Sequence, residues 1–283
     1  MQARLREIAA AFLERPDALF FIGWEMTPDE KETRPFFARN PRQAQRLVWN
    51  DLCHPNPASY LPRLRDREGI IGVAVKGCDA RALRELIRAN QIERKNLFVL
   101  GIPCTGLVDP NTGAIASRCA ECQYPVDFDY DETLGPMETP DLTVERSAPD
   151  LDAMSLQQRR AFWKQELDKC IRCDACRKIC YGCYCPECIF EMSDPKWATN
   201  RGDLADKIFY HAVRAYHLAG RCVGCDECAR ACPMGVRLDL LNRSLRDHAK
   251  EMFSFDGAGI TDEKPLLRTF STEDPDPFFG GDE

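Results

Sequence analysis

The chain has 283 residues, 44% of them hydrophobic, with a formal net charge of -7 and a pI near 5.3. That is the make-up of a globular protein with room for one large or two ordinary domains, and its acidic balance argues against a nucleic-acid surface while suiting a basic protein partner. The longest apolar runs, residues 70–75 and 97–102, fall far short of the ~20 residues a membrane helix needs. No basic, apolar leader precedes Leu5-Arg6-Glu7, so the 16 cysteines are expected to be reduced in a cytoplasmic protein and bound to metal rather than paired as disulfides.

Residues 3–15 place Leu5, Ile8, Ala9, Phe12 and Leu13 on one helical face, and Pro16 ends the run. Residues 18–24 read as a buried strand. Pro41 stands at a first helical position before QAQRLVWNDLC, predicting a second helix that turns Leu47 and Val48 inward and ends near Cys53-His54-Pro55. Residues 58–67 predict a third. The segments IIGVAV (70–75), 79–90 and NLFVLGI (96–102) then read as strand, helix and strand. Parallel strands in such a unit bring both C-terminal ends to one edge of the sheet. That edge carries Cys78 and Cys104, and Cys119 and Cys122 of CAEC follow closely enough to fold back over it. Open α/β sheets bind ligands in crevices at the carboxyl ends of their strands.

From Tyr124 to about Asp152 the chain is rich in Pro and acidic residues, as in an extended crossing segment and linker. Ser155 is the expected N-cap of a helix over 156–169 that delivers Cys170. Residues 203–220 form an amphipathic helix closed by Gly220. A short helix is expected after Arg246. In the acidic tail Phe278 and Phe279 read either as a docking peptide or as part of a frayed end. The expected architecture is an α/β N-terminal domain with a parallel sheet over 1–152, a mainly α-helical two-cluster ferredoxin domain over 153–255, and an acidic C-terminal tail over 256–283.

The chemistry is carried by cysteine. Cys170, Cys173, Cys176 and Cys180 follow the spacing x2, x2, x3, and so do Cys222, Cys225, Cys228 and Cys232. In runs of this kind three thiolates hold one [4Fe-4S] cube and the fourth serves the neighbouring cube. The crossed arrangement assigns Cys170, Cys173, Cys176 and Cys232 to one cluster and Cys222, Cys225, Cys228 and Cys180 to the other. Pro233 follows the fourth cysteine of the second run, whereas Tyr181 replaces proline in the first. The 41 residues between Cys180 and Cys222 exceed what a compact bacterial ferredoxin hairpin requires, which favours a helical ferredoxin. Zinc also accepts four thiolates, but its sites usually pair two separated Cys-x2-Cys knuckles.

Cys78, Cys104, Cys119 and Cys122 suggest a third [4Fe-4S] cluster, against the plainer reading of small core residues. Cys53, Cys183, Cys185 and Cys188 remain, and read as a fourth cluster, a zinc site or packing. Cys176-x3-Cys180-x2-Cys183 matches a radical-SAM triplet by spacing alone, and its first two members are already needed by the ferredoxin run. His211 and His217, on the helix between the runs, are expected to pack or to hydrogen-bond near a cluster sulfur. Lys76, Gly77, Asp79 and Arg81 flank a turn at a helix N-terminus, where a flavin phosphate could bind; a solvated loop is the equal alternative. No catalytic residue is assigned by spacing.

The segments KGCDARALREL, LGIPCTGLVD and CAEC, within residues 70–122, resemble the iron–sulfur/flavin beta-subunit family of coenzyme F(420) reducing hydrogenases and formate dehydrogenases. That resemblance implies a cluster on Cys78, Cys104, Cys119 and Cys122 beside a flavin site, with FAD as the candidate. CIRCDACRKIC and HLAGRCVGCDECARACPMGV resemble the helical two-cluster ferredoxins of heterodisulfide reductase small subunits and fumarate-reductase iron–sulfur subunits. The YGCYCPEC insert is not part of an ordinary ferredoxin run.

The expected function is an iron–sulfur electron-transfer subunit of an anaerobic oxidoreductase, relaying single electrons between a catalytic hydrogenase or dehydrogenase partner and a flavin or a heterodisulfide-reductase-like subunit. One rival is a self-sufficient FAD-dependent oxidoreductase acting on deazaflavin or nicotinamide. A zinc-bearing assembly scaffold is the other.

Overall fold

A computed structural model describes residues 1–122, 127–138, 149–199, 201–255, 257–260, 266 and 272. Most of the expected tail at 256–283, including Phe278 and Phe279, and part of the linker lie outside the described residues. By packing, the chain divides into unit 1, Met1–Ser147 with Ile179–Tyr184, and unit 2, Ala148–Lys178 with Cys185–Glu283.

Unit 1 is an α/β unit. Helix α1 (Gln2–Leu13) buries Leu5, Ile8, Ala9 and Phe12, the i, i+3, i+4, i+7 stripe of an amphipathic helix. Strand β1 (Ala18–Met26) is followed by β2 (Thr33–Ala38), and further along the chain the βαβ unit is formed by β3 (Ile70–Val75), helix α3 (Gly77–Arg88) and β4 (Leu97–Gly101). The sheet of the described residues has the order β2-β1-β3-β4-β5, with β5 at Glu132–Thr133. Strand β2 runs antiparallel to β1, and every other pairing is parallel.

One apolar cluster unites Phe12 of α1 with Phe21, Trp24, Leu47, Ala74 and Leu100. Each of its Phe and Leu side chains contributes about 1.5–3 kcal/mol on full burial. Phe12 needs Gly72 beneath it: a Cβ there would come within 2.8 Å of its ring and 2.4 Å of Phe21.

The second expected helix is much shorter than its sequence suggested. Helix α2 spans only Pro41–Ala44, capped by the Asn40 side chain accepting from the Gln43 N–H. Val48 is buried as expected but bridges to Trp24 as extended chain. The third stretch is a 3-10 turn, Pro57–Leu64, with Pro62 inside it; Pro62 cannot donate to an α-helical ladder.

Unit 2 is helical. Helix α4 (Leu156–Asp168) starts at Ser155, whose hydroxyl accepts from the Gln158 N–H while the Gln158 side chain accepts from the Ser155 N–H, a reciprocal capping box. The short helix α5 (Ala175–Lys178), α6 (Leu204–Leu218), the short helix α7 (Glu227–Arg230) and α8 (Leu238–Phe253) follow. Helix α8 starts before Arg246 and is longer than expected. A mostly parallel sheet followed by a helical part is the fold class expected of the sequence. Among the described residues no helix is long and apolar enough to cross a membrane.

Candidate iron–sulfur sites

None of the 16 cysteines, all of them among the described residues, is joined in a disulfide. In unit 2 the two cysteine runs adopt one loop conformation twice. Arg172 and Asp174 have φ of 53° and 59°, and Gly224 and Asp226 have 67° and 54°. In each loop the residue at the first left-handed position donates its N–H to the thiol two residues earlier, Arg172 to Cys170 at 3.3 Å and Gly224 to Cys222 at 3.4 Å. The second left-handed residue ends the loop, and a short helix follows, α5 in one case and α7 in the other. A left-handed residue folds the chain back so that successive thiols point inward instead of fanning out along a strand.

Each loop is held by the long helix that follows it. From α6, the Tyr210 hydroxyl lies 3.8 Å from Cys176 Sγ, His211 Nε2 lies 3.3 Å from Cys170 Sγ, and Arg214 donates to the Cys176 carbonyl at 3.1 Å. From α8, Asn242 Nδ2 donates to Cys228 Sγ at 3.3 Å, and Arg243 pairs with Asp226. Arg172 is fixed by a buried ion pair with Asp206 at 2.7 Å, and its guanidinium lies 4.2 Å over Tyr210. Thr199 and the Gly202 N–H also donate to the Asp206 carboxylate.

Cys170, Cys176 and Cys228 sit in one apolar cluster with Tyr210 and Val236, against which Cys232 packs. Burial pushes the Cys170 thiol up; the Arg172 N–H opposes that rise, and the neighbouring Cys232 and Cys173 add to it. Cys232 thus lies among the neighbours of the first run, and it accepts from the Val236 N–H at 3.4 Å. Burial also raises Cys176, opposed by Arg214 and Tyr210. Cys180 and Cys183 fall within unit 1, whereas Cys185 and Cys188 fall within unit 2.

In unit 1 the edge at the ends of β3 and β4 gathers Cys78, Cys104, Cys119 and Cys122. The Cys104 thiol is pushed up to about 11, chiefly by burial, and Cys119 and Cys122 contribute to the rise. Cys78, also raised by burial, has Cys104 among its electrostatic neighbours. Cys119 Sγ accepts from the Leu107 N–H at 3.4 Å. Arg118, adjacent to Cys119, is an electrostatic neighbour of Cys78. Its guanidinium lies 2.7 Å from Nδ1 of His54, whose Nε2 is 2.7 Å from the Val108 carbonyl. No local pattern connects His54 with Arg118, because 64 residues separate them.

Lys76 and Asp79, read from the sequence as part of an anion cradle, are a buried ion pair. Nζ and Oδ2 are 2.7 Å apart, with side chains 1% and 0% exposed. Burial alone would lower the Lys76 pKa, but the Asp79 carboxylate reverses this and holds it above its ordinary value. Nζ also points to the Pro55 carbonyl and lies 5.0 Å from the Trp24 ring. Arg81 is buried and Gly77 opens α3. The Lys76 cation of that cradle is therefore already matched by a carboxylate.

Cys53 has the surroundings of a core thiol. It is fully buried in the cluster of Phe12 and Trp24, within 3.8 Å of the Val48 carbonyl, and burial pushes it up to about 12. His211 is buried, while His217 is exposed.

The donor sets fit cubane clusters on chemical grounds. Buried, mutually crowded thiols resist ionisation unless a cationic centre compensates them, and N–H groups aimed at the sulfurs stabilise the thiolate form. Among the described residues no three His, Cys, Asp or Glu side chains close on one point as ligands of a single metal ion would; thiolates at the corners of a cube stand farther apart than donors on one ion.

No protein-family model matches the chain. The chain is similar to the F420-dependent formate dehydrogenase subunit beta of Methanocaldococcus jannaschii, with 31% identity over 297 aligned positions that cover 72% of this chain and 78% of that relative. At that identity and coverage, this chain belongs to the family of F420-dependent formate dehydrogenase beta subunits.

Proposed function

We propose that this chain is the iron–sulfur electron-transfer subunit of a formate-dehydrogenase-type oxidoreductase complex. The observation that carries the reading is the doubled cysteine loop of unit 2, with Cys232 beside Cys170. Cys170, Cys173, Cys176 and Cys232 would hold one [4Fe-4S] cluster, and Cys222, Cys225 and Cys228 would supply three ligands of a second. Cys78, Cys104, Cys119 and Cys122 would hold a third, in the α/β domain over 1–152; the ferredoxin domain spans 153–255. Clusters of this type supply one-electron transfer when bound.

The chain's own residues supply position and environment. Tyr210, Asn242 and the loop N–H groups orient the sulfurs. The apolar cluster around Cys170 and Cys228 excludes water, and Arg118 places a positive charge near Cys78. The relative named for F420-dependent formate oxidation suggests the two ends of the route: a catalytic dehydrogenase subunit as donor and a deazaflavin-reducing centre as acceptor. Lys76 and Asp79 neutralise each other, so an FAD-bearing active site in this chain has no free cation from that pair.

The test is iron, acid-labile sulfide, zinc and flavin per chain on anaerobically purified protein, with EPR of the reduced sample. About twelve irons with matching sulfide are expected from three cubes. About sixteen would add a fourth centre drawn from the remaining cysteines. Zinc without iron would overturn the electron-transfer reading in favour of a scaffold.

A further inference from the structure

The two helices that carry the cysteine loops present polar residues at one spacing. Tyr210, His211 and Arg214 in α6 stand at i, i+1, i+4, and so do Asn242, Arg243 and Arg246 in α8. The first members reach the third cysteine of each run, Tyr210 near Cys176 and Asn242 near Cys228. The middle members differ. Arg243 spends its charge on Asp226, whereas His211 lies 3.3 Å from Cys170 Sγ.

His211 is 1% exposed. Its Nδ1 is buried without a hydrogen-bond partner, so Nε2 is the ring nitrogen with a polar partner within reach. A neutral imidazole carries one N–H, and a thiolate can only accept, which puts the proton on Nε2.

We propose that His211 is a positioning residue that donates an N–H···S hydrogen bond to the Cys170 thiolate and thereby raises the reduction potential of the cluster held by Cys170, Cys173, Cys176 and Cys232. Reduction adds negative charge to the cluster and its thiolates, and a donor aimed at sulfur stabilises the more negative state. The corresponding position of the second loop, Arg243, is turned to a carboxylate instead. The two halves of unit 2 therefore treat their cysteines differently despite sharing a loop conformation.

This inference rests on the cluster assignment above, and the experiment separates the two. EPR-monitored redox titration is run on anaerobic holoprotein of the wild type, His211→Leu and His211→Gln, with iron counted in each. Expected are an unchanged iron count, one midpoint moved to more negative potential in the Leu variant, and return toward the wild-type midpoint in the Gln variant, which restores an N–H. Wild-type protein without iron would sink the cluster assignment. Iron retained with all midpoints unmoved in the Leu variant would sink the role of His211 and leave the clusters standing. If the Leu variant loses iron, the wild type decides: 15N-labelled histidine must alter the electron-spin-echo modulation of a reduced cluster, and that difference must be lost in the Gln variant. Its absence, or its persistence in the Gln variant, overturns the proposal.

Discussion

Arg172 and Gly224 share a left-handed backbone, φ 53° and 67°, and each donates its N–H to the thiol two residues before it. Glycine adopts this conformation without steric cost, whereas arginine does so at roughly 1–2 kcal/mol. The strain at Arg172 is outweighed by what its side chain does. It pairs with Asp206, with both side chains about 5% exposed or less, and it lies over the rings of Tyr210 and Phe190. One loop is shaped by a residue without a side chain, the other by a side chain tied down to α6.

Gly224→Ala should destabilise the holoprotein by about 1 kcal/mol, the cost of a Cβ in the left-handed region. The added methyl would approach Arg246 Nη1 at 3.0 Å, but that guanidinium ends a flexible chain and can move. Anaerobic denaturant unfolding, followed through cluster absorbance, reads the difference. No change would mean that the loop relaxes out of the left-handed region in solution.

Arg172→Gly separates strain from anchoring. It recovers about 1 kcal/mol of backbone strain, yet it leaves the buried Asp206 carboxylate without its cation, a loss of roughly 3–5 kcal/mol. Net destabilisation of about 2 kcal/mol or more is expected, together with faster loss of iron to a chelator. Asp206→Asn should go the same way, more weakly, since the Thr199 hydroxyl can still bond a carboxamide. A Gly variant more stable than wild type would show that the ion pair contributes little.

How much of this was legible in the sequence depended on the range of the interactions involved. The strand, helix and strand of β3, α3 and β4 follow from local periodicity, and the Ser155 cap from its pairing with Gln158. Strand β2 was not legible, because Pro35 interrupts its alternation and it is held only by register against β1, with Trp24 opposite Pro35. Likewise QAQRLVWN looks helical by its apolar spacing, yet Val48 is extended because its N–H finds the Trp24 carbonyl at 2.9 Å. The two cysteine runs stood out by their repeated spacing, and His211 was visible as a histidine between them. Tyr210, Asn242 and Arg118 were not visible as partners, since only the fold brings them to Cys176, Cys228 and Cys78.

Asp79→Asn should destabilise unit 1 by roughly 3–5 kcal/mol, because it strands the Lys76 ammonium in a dry interior. The remaining contacts, Pro55 O at 3.4 Å and the Trp24 ring, offset only part of that. Lys76→Met with Asp79→Leu, which removes both charges, should be much milder, since an ion pair replaced by apolar groups of similar volume is often near neutral. Chemical unfolding of the three proteins supplies the comparison. Equal losses in single and double variants would instead point to an additional ligand engaging these residues.

Cys232→Ala and Cys53→Ala make opposite predictions about iron. Cys232 packs against the apolar cluster that holds Cys170 and Cys176 and adds to the rise in the Cys170 pKa; as the proposed fourth ligand of the [4Fe-4S] centre on Cys170, Cys173 and Cys176, its loss should remove up to about four irons per chain or leave a three-iron form. Cys53 sits in the core of unit 1 with its Sγ near the Val48 carbonyl. Its replacement should leave iron untouched and cost about 1 kcal/mol through the small cavity created. Iron and sulfide counts with EPR of both variants decide the matter. Iron lost on Cys53→Ala would assign that thiol to a metal site. A Cys232→Ala defect confined to the cluster of Cys222, Cys225 and Cys228 would replace the crossed arrangement with one in which each run keeps its own fourth cysteine.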